Sequence, residues 1–401
     1  MEQEGQAPQV TIRMRSRLPL ALAVLLSLLQ LFSPHRAWLI LFCGVGGMTL
    51  GAWLWTRSLA HSVRITRSLR YVWAQVGDLL EERFILRNPS RWPLLWAEVN
   101  DESNLPGYSA VRVVGAGAQE TFEWRVGTVC TRRGLFNLGP WTVRMQEPFG
   151  LFTVTQRYEQ TRSLLIVPPV MELPSVVLPR GVATGRAVAR QPAADLTLNV
   201  SATRPYVQGD PMRRIHWPSS ARHDFLISKT FDAEISGDLW IVLDLDADVQ
   251  AGEGEESTEE YGVILAASLA DRMLRQNRAV GLVAYGARDA YLVPARGEGQ
   301  LWRVLRALAL VQAGERRPLA TVLTEMRSVL GRQTTVAVIT ASDDPAWVEA
   351  LSPLWSQGVA LTVLLLDPNT FGGQSDLSVV RSMLAGLGIP THVIAQGYPF
   401  R

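Results

Sequence analysis

Residues 239–248 read Leu-Trp-Ile-Val-Leu-Asp-Leu-Asp-Ala-Asp. Leu239–Leu245 is an apolar run of strand length, the pattern of a strand covered on both faces of its sheet. Working outward, Tyr261–Asn277 has helical spacing and Val280–Tyr285 is a second strand. Leu301–Val311 and Leu319–Leu330 read as helices, Thr335–Thr340 and Val359–Leu366 as strands with a helix at Ala346–Trp355 between them, and Ser378–Leu387 and His392–Ala395 close the series. Alternation of this kind predicts an α/β domain over residues 236–401 with a largely parallel, doubly wound sheet. Ligands of such sheets bind beyond the carboxyl ends of the strands, at a topological switch. There the first strand delivers Asp244, Asp246 and Asp248. Alternate positions can turn their carboxylates toward one point, where hard oxygen ligands suit Mg²⁺ or Ca²⁺. The competing reading is a solvated acidic loop with one structural aspartate. From Asp244 to Glu260 there are eight acids and no base, and crowded carboxylates repel one another.

The opposite end of the chain is apolar. Seventeen residues without a charge, Leu18 to Pro34, lie between Arg17 and His35, and twenty more, Ala37 to Thr56, lie between Arg36 and Arg57. A spanning helix needs about 20 apolar residues, with a lower limit near 17. The pair reads as a two-helix transmembrane hairpin over residues 18–56. A signal peptide is the alternative for the first run, but no small-x-small cleavage site follows it and a second run comes at once. Arg13, Arg15 and Arg17 precede the hairpin and Arg57, Arg64, Arg67 and Arg70 follow it. The positive-inside rule then places the 1–17 tail and the long C-terminal part in the cytoplasm, on a multi-pass protein of the cell membrane.

Composition fits. Of 401 residues 47% are apolar and 19% charged, below the usual quarter for a soluble chain. With 39 basic and 37 acidic residues, no global charge points to nucleic acid. Two cysteines, Cys43 and Cys130, exclude a disulfide framework and a multi-cysteine zinc site. There is no Walker A loop, no His-Glu-x-x-His, no Gly-x-Ser-x-Gly and no Cys-x-x-Cys.

Between these parts, residues 71–169 change to a period of two. Phe122, Trp124, Val126, Thr128 and Cys130 alternate with their neighbours, and turn signals such as Asn88-Pro-Ser90, Leu105-Pro-Gly107 and Gly139-Pro140 separate short strands. That predicts a small β-sandwich serving as structure or as a protein-binding surface. Residues 170–235 read as an arginine-rich connector. Its centre, from Arg204 to Arg222, reads Arg-Pro-Tyr-Val-Gln-Gly-Asp-Pro-Met-Arg-Arg-Ile-His-Trp-Pro-Ser-Ser-Ala-Arg. One reading is an anion site built from Arg204, Arg213, Arg214, Arg222 and Lys229. The other is an internal clasp in which Asp210 pairs with an arginine while Tyr206 and Trp217 pack. His216 beside Ser219 and Ser220 has neither an orienting acid nor a strand-turn-helix elbow, so a nucleophile is not indicated.

That segment resembles the signature of the bacterial domain-of-unknown-function family 58 at Arg204, Tyr206, Gly209, Asp210, Arg213, Ile215, Trp217, Ala221, Arg222 and Lys229. Asn88-Pro-Ser-Arg91, Arg133-Gly134 and Glu147-Pro-Phe-Gly-Leu-Phe152 are also similar to the family, which commonly has aspartate in place of Glu147. The resemblance implies a membrane-anchored bacterial protein with a von Willebrand A-like end, associated with MoxR-type AAA+ ATPases. Such ends carry a metal-ion-dependent adhesion site, usually Asp-x-Ser-x-Ser with a later threonine and aspartate. Here Asp246 and Asp248 stand at the serine positions, Thr321 or Thr340 could supply the threonine and Asp343 the aspartate. Thr340-Ala-Ser-Asp343 departs from the usual Thr-Asp-Gly. The expectation is an adaptor without catalysis of its own that works with such an ATPase in complex assembly. The alternatives are metal-assisted hydrolysis at Asp244, Asp246 and Asp248, or a membrane scaffold with a degenerate metal site.

Overall fold

The computed structural model describes residues 8–69, 71–173, 176, 200–207, 212, 215–223, 225–231, 237–314, 317–331 and 334–400, without the side chains of 200–204 and 229–231. They fall into two units, one built mainly from the chain up to Pro169 and one from Val170 onward.

The first unit combines two helices with a strand-rich body. It begins with β1 (Gln9–Met14), α1 (Leu18–Phe32) and α2 (Arg36–Ser62). Pro19 lies in the first turn of α1, where its missing N–H is harmless. His35 caps α2, its Nδ1 accepting from the Ala37 N–H at 3.2 Å. Among the described residues α2 alone is long and apolar enough to cross a membrane; α1 has 15 residues, short of a usual span. Then follow β2 (Arg64–Leu69), β3 (Trp73–Gln75), β4 (Leu79–Asn88), β5 (Leu94–Asp101), β6 (Arg112–Ala116), β7 (Glu120–Val129), β8 (Gly134–Leu138), β9 (Trp141–Gln146), β10 (Phe152–Tyr158) and β11 (Arg162–Val167). They form sheets in the orders β1-β10-β9-β5-β6, β2-β4-β7 and β3-β11-β8. The strand-rich part therefore begins before residue 71. Residues 9–14 are not a free tail: β1 pairs antiparallel with β10 from Gln9↔Arg157 to Met14↔Phe152.

A single apolar core joins the sheets. Phe84 stacks on Trp124 with ring centroids 5.2 Å apart, and Trp141 on Tyr158 at 3.9 Å. Arg67 is sunk beside this core. It pairs with Glu82 at 2.7 Å and Asp101 at 3.0 Å, and donates to the Tyr108 hydroxyl at 3.1 Å. The motifs of this region act as staples. Asn88 Nδ2 donates to the carbonyls of Trp92 and Gly117, and the buried Glu147 carboxylate accepts from the backbone N–H groups of Phe149, Leu151 and Phe152.

The second unit opens with β12 (Val200–Pro205), α3 (Trp217–Ser220) and β13 (Ile227–Phe231). Within the arginine-rich connector these two strands form an antiparallel pair, with Thr203 opposite Lys229 and Arg204 opposite Ser228. Next come β14 (Leu239–Asp244), the small hairpin β15 (Gly252–Glu253) and β16 (Glu256–Ser257), α4 (Thr258–Arg275), β17 (Val280–Tyr285), β18 (Ala290–Ala295), α5 (Glu298–Leu310), α6 (Leu319–Met326), β19 (Thr335–Thr340), α7 (Ala346–Ser356), β20 (Ala360–Leu366), α8 (Ser378–Leu387) and β21 (Thr391–Ile394).

The main sheet has the order β18-β17-β14-β19-β20-β21, and every pairing is parallel except that of the edge strand β18. Trp240 and Val242 of β14 pack in one cluster with α6, α7 and α8. On the other face α4 comes so near that a Cβ on Gly262 would meet Leu243 Cδ1 at 3.0 Å. Helices therefore cover both faces, as the apolar strands demanded. Numbered within the sheet, the order is 3-2-1-4-5-6, which puts the switch between β14 and β19.

Candidate functional site

Asp244 ends β14 and Thr340 ends the neighbouring strand β19, so the pairing of these two strands brings both to the switch point. Thr340 Oγ1 donates to Asp244 Oδ2 at 2.6 Å, and the Asp246 N–H donates to Asp244 Oδ1 at 3.2 Å. Thr340 Oγ1 also accepts from the Ser342 N–H at 2.9 Å, and Ser342 Oγ accepts from the Asp344 N–H at 3.2 Å. Asp246 Oδ1 caps the next turn through the Asp248 N–H at 3.1 Å. Gln250 Nε2 donates to the carbonyls of Asp244 and Asp246, and Thr258 Oγ1 of α4 holds Gln250 Oε1 at 2.8 Å. Beside Asp246, Gly314 makes a backbone bridge, with Ala247 N donating to Gly314 O and Gly314 N to Leu245 O, each at 3.1 Å. A Cβ on Gly314 would fall 2.1 Å from Ala287 N, so only glycine allows this approach.

Burial pushes the Asp244 carboxyl up to about 6; the Thr340 and Asp246 hydrogen bonds oppose that shift and the Asp246 charge adds to it. The consequence for stability has a definite sign. Between the ordinary 3.8 and about 6 the folded chain holds a proton that the unfolded chain has released, so protonation favours folding. The contribution of this group falls as pH rises through that window, by roughly 3 kcal/mol in all. In Asp244→Asn the carbonyl still accepts from Asp246 N, and the amide can donate to Thr340 Oγ1 with the hydroxyl hydrogen turned away. The variant is expected to lack this pH dependence. Between pH 4 and pH 8 the α/β unit of the parent should lose about 2–3 kcal/mol of unfolding free energy relative to the variant. Identical pH profiles would contradict the assignment.

The three aspartates have separate jobs. Asp244 and Asp246 are buried and hydrogen-bonded to backbone and Thr340, whereas Asp248 is exposed. Of the two candidate threonines Thr340 meets Asp244, while Thr321 is exposed on α6, its N–H bonded to the Pro318 carbonyl. Asp343 is exposed and accepts from the Asp376 N–H at 3.3 Å. Among the described residues no three acidic, histidine or cysteine side chains are placed to hold a metal ion. Asp244, Asp246 and Asp248 thus do not form a three-carboxylate cluster: Asp244 holds Thr340 Oγ1 and the Asp246 N–H, and Asp246 Oδ1 holds the Asp248 N–H. Ser342, Gln250 and Thr258 were missed in the sequence, because no motif marks a side chain that braces a loop. The exposed acids Asp248, Glu253, Glu255, Asp343, Asp344 and Asp376 all lie in connections that follow parallel strands of the sheet, Glu253 and Glu255 in the β15–β16 hairpin, and so form an acidic rim at its carboxyl edge.

In the signature segment, Gly209, Asp210 and Arg213 lie outside the described residues, and of Arg204 and Lys229 only the backbone is described. Ile215 is buried and bridges to Ser228. Tyr206 is half-buried, its N–H on the Leu226 carbonyl. Trp217, Ala221 and Arg222 are exposed. His216 Nδ1 caps α3, 3.2 Å from the Ser219 N and 2.6 Å from its Oγ, which gives this pair a structural task.

Residues 202–371 match the family described as "Protein of unknown function DUF58". The chain is 22% identical to uncharacterized protein YeaD of Bacillus subtilis over 267 residues, 65% of each chain. It is 29% identical to uncharacterized protein Rv1480 of Mycobacterium tuberculosis over 176 residues, 41% of this chain and 54% of that one. The chain thus spans less than two thirds of the length of these relatives. Among solved structures, proximal thread matrix protein 1 from the mussel byssus overlaps with a TM-score of 0.29 at 10% identity, covering 40% of this chain and 43% of that one.

Proposed function

Since residues 202–371 are a domain of the family described as "Protein of unknown function DUF58", we propose that this chain is a membrane-anchored adaptor. Its α1–α2 hairpin enters the bilayer, and its von Willebrand A-like α/β unit offers the acidic rim to a partner on the cytoplasmic side. The partner is a MoxR-type AAA+ ATPase, and the adaptor does no chemistry itself.

One observation carries the anchoring. β1 enters α1, and β2 leaves α2, yet both strands belong to the same β-rich unit. A single crossing would put them on opposite faces of a membrane, so the helices enter and return together. The surface of the hairpin agrees. Leu18, Leu25, Leu28, Leu31, Ile40 and Phe42 are all exposed, an apolar sleeve that water would not tolerate uncovered. The last part of α2 is the exception: Ala52 packs with Met14, Leu151 and Phe152, and Leu59, Ala60 and Val63 join the β core. Arginines at both roots of the hairpin favour the cytoplasmic face for the folded units.

The rim supports a basic partner surface, since like-charged loops repel each other and steer a cationic face toward themselves. The full chain, co-expressed with the ATPase and extracted in mild detergent, should retain it in a nucleotide-dependent way. Glu253→Gln, Glu255→Gln and Asp343→Asn together should weaken retention about tenfold. No association in any nucleotide state would refute the partnership.

A further inference from the structure

The outer face of the β1-β10-β9-β5 sheet carries a groove of about 700 Å³ that the adaptor reading leaves unused. Arg13, Arg15 and Arg144 converge on it with Trp96, Gln146 and Thr153. Strand register explains the convergence. Arg13 stands opposite Thr153 and Thr153 opposite Gln146, so these side chains share one face, and Arg144 stands opposite Thr155 on the same face. The reverse face carries Val154 and Met145 into the core. No described carboxylate forms an ion pair with any of the three arginines. Glu98, opposite Arg144 in register, is the acid flanking the groove, and it leaves a net positive site.

Position selects the ligand. Arg15 lies three residues before Leu18, the first residue of α1, and its N–H is fixed to the Leu151 carbonyl at 2.7 Å. Met14 and Phe152 pin that end of the sheet to Ala52 of α2. The groove therefore opens where the hairpin leaves the β body, at the level of lipid headgroups when the hairpin is inserted. Guanidinium forks match phosphate oxygens, and an indole beside them suits the apolar–polar boundary of a bilayer.

We infer that this groove binds the glycerophosphate headgroup of an anionic phospholipid and thereby seats the β-rich unit against the membrane. The inference rests on the anchored reading above, and the test separates the two. The full chain is extracted from membranes, stripped of lipid in non-ionic detergent and titrated with phosphatidylglycerol, phosphatidylcholine or free glycerol 3-phosphate, with bound species counted by native mass spectrometry. The expected result is a preference of about tenfold or more for phosphatidylglycerol over phosphatidylcholine, reduced by high salt. Arg13→Gln, Arg15→Gln and Arg144→Gln together should erase that preference while leaving the melting midpoint unchanged. Equal binding of the two lipids, a preference that survives the triple substitution, or glycerol 3-phosphate binding as tightly as the lipid would each overturn the headgroup site. Recovery of the chain from the soluble fraction, before any lipid is added, would instead overturn the anchoring.

Discussion

Arg67→Ala is expected to destabilise the β-rich unit by about 3–5 kcal/mol, the usual cost of breaking a buried ion pair from one side. The side chains of Arg67, Glu82 and Asp101 are 9%, 1% and 2% exposed. The guanidinium reaches both carboxylates, the Tyr108 hydroxyl and Ser103 Oγ, and lies 5.4 Å from the centre of the Phe84 ring. Burial pulls its pKa down, but the hydrogen bond and charge of Glu82 outweigh that and hold it above the ordinary arginine value. Truncation would leave two carboxylates without a counter-ion, and Asp101 Oδ2 already lacks a hydrogen-bond partner. Arg67→Lys should recover little, since one ammonium cannot reproduce the fork that serves Glu82 and Asp101 together. Denaturant unfolding of the detergent-solubilised chain checks this. A loss below about 1 kcal/mol would mean the network is solvated and contributes little.

The second large effect belongs to the hairpin. Leu25, near the middle of α1, is 51% exposed, and Phe42 on α2 is 42% exposed. On the anchored reading proposed above both would face lipid, where an arginine costs roughly 2.5–3.5 kcal/mol at mid-depth. Leu25→Arg with Phe42→Arg should move most of the chain out of the carbonate-resistant membrane fraction. Val113→Arg, on the exposed face of β6 at 56% exposure, is the control that should leave the distribution unchanged. If the double variant stays as resistant to carbonate as the parent, the sleeve is covered by something other than lipid.

How much of this was legible depends on where each element gets its stability. β14, β17, β19 and β20 are buried on both faces, so their apolar runs could be read directly. β18 was not read. Its Ala-Tyr-Leu-Val-Pro-Ala run contains a proline that only an edge strand accepts, and its partner β17 is antiparallel, outside the βαβ rhythm. β1 and β2 were hidden because each abuts a long apolar helix, and their alternation is only six residues long. The choice between Thr321 and Thr340 needed the β14–β19 pairing, which no local pattern encodes. The same holds for the aspartates: three acids at alternate positions look like a cage until Asp246 turns to cap the Asp248 N–H. Arg67 escaped notice because its partners are 15 and 34 residues away, across two other strands.

The most direct test concerns which side of the membrane holds the two ends of the chain. Fusions of green fluorescent protein and of alkaline phosphatase are placed in turn at the N-terminus and at the C-terminus, in a bacterial host. Fluorescence with an inactive phosphatase at both ends is the outcome that a returning hairpin with its strands in one cytoplasmic unit requires. An active phosphatase at either end would contradict it, and the cytoplasmic adaptor would fall with it.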